Sequence, residues 1–418
     1  MNIWILNQYA IGPESIGGTR HYDLARELVK KGHHVKIFAA SFNHLERKET
    51  ISYESTKYKE QKFDGVEFIW LKTPPYKNNI QRIQNILWFS KRLNSVLNKY
   101  LRSEQPDVII GSSVHPLTAL IGLKKAQKNK VLFYFEERDL WPQTFIDFGM
   151  ISEKNIVSKI LFAIEKKLYK ESDRVIFLFE NAHKYAVKKG LKKEKHVYIP
   201  NGYSKDRIYE SSISTKVDDL FIKLQDKKIC MYIGSLGEAN YMTPIINLAN
   251  EMKNDNTFHF LIIGNGAKKN ELVKYSNQLQ LTNLTFFNPI PKKMIPKVLL
   301  KAHVGLISIK DSPLYKWGFS MNKIYDYLSV GLPIAMYSNI QISRDLNESR
   351  AIYNSDSTED LREFIIKDSF VDRETIKQFA EENFSWEVLS QKLLFYLEKD
   401  VHEFKEKNNN LFNKVYRK

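Results

Sequence analysis

The chain is short of cysteine, of long apolar runs and of acidic residues, and each shortage excludes something. One cysteine, Cys230, stands among 418 residues, so no internal disulfide holds the fold and a reducing compartment is expected. It lies in the run Ile229-Cys230-Met231-Tyr232-Ile233, which reads as a strand. No stretch approaches the roughly 20 uninterrupted apolar residues of a membrane span. The N-terminus has neither the charged start nor the long apolar core of a signal peptide, so the cytosol is the expected place. Acidic residues number 48 against 64 basic ones, a net charge of +16. Such a balance suits a polyanionic partner: nucleic acid, anionic lipid or a diphosphate substrate. Zinc-finger spacing, aromatic ribonucleoprotein motifs and long basic tails are missing, which argues against nucleic acid. No His/Asp/Glu cluster has metal-ligand spacing, and no repeat of the 20 to 50 residue kind is visible.

Hydrophobic residues make up 43% and charged residues 27%, an ordinary globular composition. At this length two domains of roughly 200 residues are expected. The first series of strands reads as Ile3 to Leu6, His34 to Ala40, Val108 to Ile110, Val131 to Phe135, Arg174 to Phe179 and His196 to Ile199. After Pro200-Asn201-Gly202 a polar stretch from 204 to 216 reads as a linker. A second series follows at Ile229 to Ile233, His259 to Ile263, Leu284 to Phe287, Val304 to Ile307 and Pro333 to Met336. Helical patterns separate most of these runs, as a doubly wound parallel sheet requires. The expected architecture is α/β, with Rossmann-like domains over 1–205 and 206–384. The segment 385–418, a helix from Trp386 to Lys399 and a polar tail, completes it.

Doubly wound sheets bind ligands at the carboxyl ends of their strands. Gly17-Gly18-Thr19-Arg20 follows the first strand and opens a helix, offering free N–H groups and a guanidinium to an anion. Gly234-Ser235-Leu236-Gly237 stands at the equivalent place in the second lobe, and Gly264-Asn265-Gly266 follows the next strand; glycines there let a backbone approach phosphate. Glu136-Glu137-Arg138-Asp139 is four charged residues at a strand end, costly in a core and common at sites. His115, in Gly111 to Pro116, is placed to hydrogen-bond a sugar or to play a structural part.

The segment Ser320-Met321-Asn322-Lys323-Ile324-Tyr325-Asp326, running on to Gly331-Leu332-Pro333, resembles the donor-binding signature of glycosyltransferase family 4. Asp326 stands five positions before the Gly-x-Pro, where the family has an acidic residue that grips the ribose of a nucleotide sugar. Pro200-Asn201-Gly202 resembles the family's Pro-Asn-Gly, Asn383-Phe384-Ser385-Trp386 its final-helix entry, and Arg138-Asp139-Leu140-Trp141-Pro142 a loop of bacterial N-acetyl-fucosamine transferases of O-antigen assembly. The resemblance covers nearly the whole chain. It implies the GT-B fold, two Rossmann-like domains facing a cleft with the last helix crossing back to the first. It also implies a retaining, metal-independent transfer from a UDP-sugar to a lipid-linked or oligosaccharide acceptor, with no prosthetic group. Two departures stand out. The family pairs two glutamates eight residues apart, and eight residues before Asp326 is Gly318, leaving backbone near Phe319 and Ser320 to meet the donor sugar. The usual Arg and Lys after the second lobe's first strand are replaced by Ser235 and Asn240. Lys323, with Arg20 or Arg138, is then the candidate for stabilising the leaving diphosphate, and Asp139 for orienting the acceptor. A nucleotide-sugar epimerase of the same fold and a non-catalytic binding subunit are the alternatives.

Residues 68–103 contain seven basic residues and no acidic one. Ile80, Ile83, Leu87, Leu97 and Leu101 recur at near-helical spacing, with Trp88 and Phe89 beside them. The segment 80–102 reads as a basic amphipathic helix able to dock on an anionic membrane at the cytoplasmic face, or to pack on the first lobe's sheet.

Overall fold

The computed structural model describes residues 1–15, 17–44, 46–113, 115–147, 151–206 and 215–416. The chain forms two compact units: Met1–Pro200 with Trp386–Lys418, and Asn201–Ser385. Most of the polar stretch read as a linker, 207–214, lies outside the described residues.

In the first unit the strands are β1 (Asn2–Leu6), β2 (His34–Ala40), β3 (Phe42–Asn43), β4 (Lys48–Glu49), β5 (Tyr58–Phe63), β6 (Val66–Leu71), β7 (Val108–Ser112), β8 (Leu132–Glu137), β9 (Arg174–Phe177) and β10 (His196–Tyr198). The main sheet runs β10-β9-β8-β7-β1-β2-β6-β5, and β3 pairs β4 separately. Strand order reverses between β1 and β7, which makes their carboxyl ends the switch point where such sheets bind ligands. All pairings in the main sheet are parallel except β5 with β6. That hairpin is absent from the sequence reading because β5, Tyr58-Lys59-Glu60-Gln61-Lys62-Phe63, is polar and largely exposed at the sheet edge. Its signal is the turn Asp64-Gly65, both residues at positive φ, the arrangement that hairpins of this length favour.

The last helix is longer than its apolar pattern indicates, running from Trp386 to Tyr416. Trp386, Leu389, Leu393, Leu397 and Val401 join the first unit's core. Arg174 forks onto Asp400 with two 2.7 Å bonds, and the Tyr134 hydroxyl donates to the same carboxylate at 2.6 Å. These buried ties attach the helix to β8 and β9 of the first unit.

The second unit has β11 (Lys228–Ile233), β12 (Phe258–Ile263), β13 (Leu284–Phe287), β14 (Val304–Ser308), β15 (Ile334–Tyr337) and β16 (Ile352–Ser355). Its order, β13-β12-β11-β14-β15-β16, is the doubly wound arrangement with the switch point between β11 and β14. Among the described residues no helix is long and apolar enough to cross a membrane.

Candidate active site

At the switch point of the first sheet, a chain of amides fixes the state of His115. The Asn85 side-chain amide donates to the Pro74 carbonyl (2.6 Å), which can only accept. The Asn85 oxygen therefore receives the Gln8 amide (2.5 Å), and the Gln8 oxygen receives His115 Nε2–H (2.6 Å). His115 Nδ1 is left without a proton, buried and without a partner, an acceptor waiting for a donor. Burial holds this imidazole at a pKa of about 3, so it is neutral at physiological pH.

Behind it, Arg20 is spent. Its Nε binds Glu136 at 2.9 Å, and its two terminal nitrogens donate to the Pro200 and Ile199 carbonyls at 2.5 and 2.9 Å. The guanidinium is 2% exposed and lies against the Trp386 ring. This corrects the expectation that Arg20 serves a diphosphate: its charge ties the start of its helix to the end of β8. Glu136 also receives His21 and Ser112, each at 2.6 Å. Burial pushes the Glu136 carboxyl up, but Arg20 and His21 outweigh it and hold it well below the usual range. Gly17 and Gly18 lie half-buried ahead of this helix, Gly17 at φ +134°. The Thr19 hydroxyl turns to Asp23 (2.5 Å) instead of capping the helix.

The four-charge run that straddles the end of β8 divides in two. Glu136 and Glu137 point into the protein, Glu137 to the Tyr169 hydroxyl. Arg138 and Asp139, just past the strand, are each half-buried. Arg138 donates its backbone N–H to Ser113 (3.0 Å), while its Nε is buried without a partner and its guanidinium makes no ion pair among the described residues. Asp139 makes no side-chain hydrogen bond there, and burial raises its carboxyl above the usual range against the pull of Arg138.

At the switch point of the second sheet, Lys323 Nζ donates to the Tyr232 hydroxyl (2.8 Å) and to the Asn240 side-chain oxygen (2.9 Å), 4.2 Å from the centre of the Tyr232 ring. The Tyr232 hydroxyl in turn donates to the Ser235 carbonyl (2.7 Å). Among the described residues no carboxylate pairs with Lys323, and burial pushes its pKa down to about 7. A Cβ at Gly234 would meet Nζ at 3.1 Å, so the glycine makes room for the ammonium. Gly264 and Gly266 serve close backbone packing. A side chain at Gly264 would strike the Gly234 carbonyl and one at Gly266 the Leu236 carbonyl, because the two loops pack backbone to backbone. Leu236 N–H donates to the Asn265 carbonyl (2.9 Å) between them. Ser235 is exposed and Gly237 half-buried on the loop's outer side.

The donor-like segment is anchored by the Pro-Asn-Gly. Asn201 donates its backbone N–H to Ser320 Oγ (2.9 Å) and its side-chain amide to the Ser320 carbonyl (2.6 Å), and Tyr325 bonds the same Oγ (2.9 Å). Phe319 is buried in the core, Asn322 is exposed at the start of the helix Asn322–Leu328, and Asp326 is half-buried one turn along. Gly318 has φ +101°, a conformation that disfavours any side chain. The missing glutamate thus reflects a backbone turn that a glutamate would strain.

Sequence reasoning passed over Tyr232, read as a core strand residue, and saw Asn240 only as a lost cation. It also passed over Lys269, whose Nζ bonds the Gly264 carbonyl (3.2 Å) and Asn288 (3.1 Å) at the ends of β12 and β13. Tyr9 and His44 at the first switch point were missed as well. Their signal is position alone, in loops that follow β1 and β3. Among the described residues no group of three or more His, Cys, Asp and Glu could hold a metal ion.

The sequence model of Glycosyltransferase Family 4 matches residues 17–207. A protein of Escherichia coli described as a colanic acid biosynthesis glycosyl transferase, WcaI, is 24% identical over 305 residues, covering 71% of this chain and 74% of its own. Sucrose-phosphate synthase from Thermosynechococcus elongatus superimposes with a TM-score of 0.68 at 15% identity, over 95% of this chain and 98% of its own. HepE of Anabaena, solved in complex with UDP and also with UDP-glucose, gives a TM-score of 0.65 at 11% identity for the UDP complex, over 96% of this chain and 100% of its own. The match to the glycosyltransferase family 4 model spans residues 17–207, and the solved structures share the two-domain GT-B fold of this chain.

Proposed function

We propose that the chain is a retaining glycosyltransferase that moves a sugar from a UDP-linked donor onto a lipid-linked or oligosaccharide acceptor in bacterial surface polysaccharide synthesis, O-antigen or capsule. The observation that carries the donor side is Lys323, a lysine without a carboxylate partner among the described residues, poised with Tyr232 and Asn240 at the second unit's switch point. Asp326, three residues on, takes the ribose hydroxyls, and backbone at Phe319 and Ser320 meets the donor sugar. In the transfer the bond between the sugar's anomeric carbon and the β-phosphate oxygen breaks, and a bond to the acceptor hydroxyl forms on the same face. The hydroxyl proton passes to the departing diphosphate. Lys323 stabilises that growing charge, the work a divalent ion does elsewhere, so no metal is required. On the first unit, His115 Nδ1 accepts from an acceptor hydroxyl, and Asp139 orients it. The acetamido 6-deoxyhexose is the donor sugar that the Arg138-to-Pro142 loop favours, by its likeness to N-acetyl-fucosamine transferases.

Exposed apolar side chains on two helices support the membrane part of this reading. The helix Asn79–Ser103 buries Phe89, Leu93, Val96 and Leu97, while Ile80, Ile83, Leu87 and Trp88 are 72, 59, 55 and 46% exposed. Its packing face is the second half, and its first half turns apolar side chains outward. Ile156, Val157 and Ile160, at the start of the helix Ile156–Glu171, are exposed too. Both helices pack on Pro116–Asn129 and begin at the carboxyl edge of the sheet. Basic Lys91 and Arg92 stand over Trp88. An apolar rim with basic neighbours suits peripheral docking on the anionic cytoplasmic leaflet. The experiment that tests the function is a screen of nucleotide sugars for thermal stabilisation, followed by detection of UDP release with and without a lipid-linked acceptor. Stabilisation by GDP- or ADP-sugars and not by UDP compounds would overturn the donor assignment.

A further inference from the structure

In the second unit a cleft of about 600 Å³ opens between the helices Thr243–Glu251 and Thr358–Lys367, and the proposed transfer makes no use of it. These two helices pack with Cys230 and Tyr232 on one face of the sheet. The helix Asn322–Leu328, which carries Lys323 and Asp326, packs with Ile229, Met231 and Ile233 on the other.

Two phenol rings head the cleft at the carboxyl edge of the sheet. Tyr337 ends β15 and Tyr241 follows the loop after β11; their ring centres are 6.4 Å apart with the planes at 60°, so they make a corner and not a stack. Tyr241 has φ +35°, a left-handed conformation that a bulky side chain rarely takes. Its neighbour Asn240 turns to Lys323, while the Tyr241 ring goes to Tyr337 and stays 43% exposed. The ring of a strained residue is thus held at the surface, where core packing gives it little return.

Beyond the rings, Asn247 and Glu251 line one wall and Asp356 and Arg362 the other. The Asn247 oxygen accepts from the Tyr275 hydroxyl (2.8 Å), which leaves its two N–H groups as donors. One Glu251 oxygen accepts from the Thr358 hydroxyl, leaving the second as an acceptor. Arg362 holds Glu359 only by an exposed contact of 3.6 Å. Burial, then Tyr241 and Asp356, raise the Tyr337 phenol above its ordinary value, so its hydroxyl keeps its proton.

This lining selects among ligand classes. Glu251, Asp356 and Glu359 repel a phosphate, Arg362 opposes a cation, and an apolar chain would leave the carboxylates and the amide unpaired. A neutral sugar chain meets every group. Its hydroxyls both donate and accept, matching carboxylates, an amide and a guanidinium, and its C–H faces lie against phenol rings that have an apolar body and a polar tip. Past Glu251 and Arg362 the cleft runs on into a second hollow of about 560 Å³, toward Asn254 and Lys367, which gives length for more than one sugar.

We propose that this cleft is a second binding site of the chain, for a stretch of neutral oligosaccharide that stacks on Tyr241 and Tyr337 and hydrogen-bonds to Asn247, Glu251, Asp356 and Arg362. It rests on the polysaccharide reading for its ligand and goes beyond it: glycan already built is held on the sheet face opposite the helix of Lys323, which keeps a growing polymer at the enzyme.

The test is retention of the full chain on an array of neutral oligosaccharides of glucose, galactose, fucose and N-acetylglucosamine, two to six sugars long, with and without saturating UDP. At least one series should retain the chain equally with UDP present, and more strongly as the oligosaccharide lengthens. Tyr337→Ala and Asp356→Asn should each lower affinity for that oligosaccharide by about fivefold or more, Tyr337→Phe by much less, and UDP affinity should not change. Retention by no oligosaccharide, retention that saturating UDP abolishes, or undiminished affinity in both variants would overturn the site. Should Tyr337→Ala fail to fold, Asp356→Asn decides alone, since Asp356 is exposed. Absence of UDP binding by the unaltered chain, in contrast, strikes the transferase reading and not this cleft.

Discussion

Lys323 Nζ stands 2.8 Å from the Tyr232 hydroxyl and 4.2 Å from the centre of the same ring, joining the helix Asn322–Leu328 to the end of β11. Burial without a carboxylate makes the charged form expensive, hence the pKa of about 7 against an ordinary 10.5. A diphosphate beside it would restore the charge. UDP binding at pH 8 should therefore take up close to one proton, read by calorimetry in two buffers of different ionisation enthalpy. UDP affinity should fall as pH rises from 7 to 9. Proton uptake of zero in both buffers would remove Lys323 from the diphosphate site.

The same shift bears on stability. Between pH 7 and 10.5 the unfolded chain holds a proton on Lys323 that the folded chain has released, so this group's contribution makes stability rise with pH across that window. Lys323→Met should raise the melting temperature at pH 7 and flatten its rise above pH 7, while turnover drops more than donor binding. An unchanged pH profile of melting would show that the ammonium is not buried in solution.

Asp326 is half-buried where the ribose is proposed to lie. Asp326→Ala should weaken UDP binding by about 1.5 to 3 kcal/mol through lost charge-assisted hydrogen bonds. Affinity equal to that of the unaltered chain would place the ribose elsewhere.

Glu137 and Glu165 form a buried acid pair outside the reaction. The Tyr169 hydroxyl donates to Glu137, the Tyr185 hydroxyl donates to Glu165 at 2.8 Å, and Glu165 Oε2 has no partner. Burial raises both carboxyls, Glu165 to about 7 from 4.5. A raised carboxyl stabilises the fold fully below pH 4.5 and loses that contribution as pH climbs through 7. Glu165→Gln should therefore gain melting temperature relative to the unaltered chain above pH 7 and show little gain near pH 5. A constant difference at all pH values would contradict the raised pKa.

The exposed stripe Ile80, Ile83 and Leu87 should govern membrane contact, each side chain contributing on the order of 1 kcal/mol on partial burial in lipid. Changing all three to serine should cut co-sedimentation with anionic vesicles at least tenfold and leave UDP affinity unchanged. Lys91→Gln with Arg92→Gln should reduce the preference for anionic over neutral vesicles. Equal sedimentation of the triple variant would return this face to an ordinary solvated role.

The parallel core was legible in the sequence because its strands are continuous apolar runs bounded by turns. Leu284–Phe287 falls where its pattern places it. β5 was not legible, since an exposed edge strand needs no apolar alternation, and β16, Ile352–Ser355, is short and half-exposed at the other sheet's edge. In the site, the position of Lys323 could be read from its motif. The burial that shifts its pKa could not, since it depends on Tyr232 and Asn240, 91 and 83 residues away. Arg20 shows the opposite failure. Its place after a Gly-Gly loop suggested an anion, whereas its actual partners, Glu136 and the carbonyls of Ile199 and Pro200, lie 116 to 180 residues away.

The central claim is that the second unit binds a UDP-sugar and that the chain spends it on an acceptor. Its most direct test is UDP release from a panel of UDP-sugars, with and without a lipid-linked or oligosaccharide acceptor. The account predicts release that depends on this acceptor, is lost in Lys323→Ala, and persists with EDTA. Saturable UDP-sugar binding with no acceptor-dependent release from any member of the panel, or release that EDTA abolishes and a divalent ion restores, would contradict it.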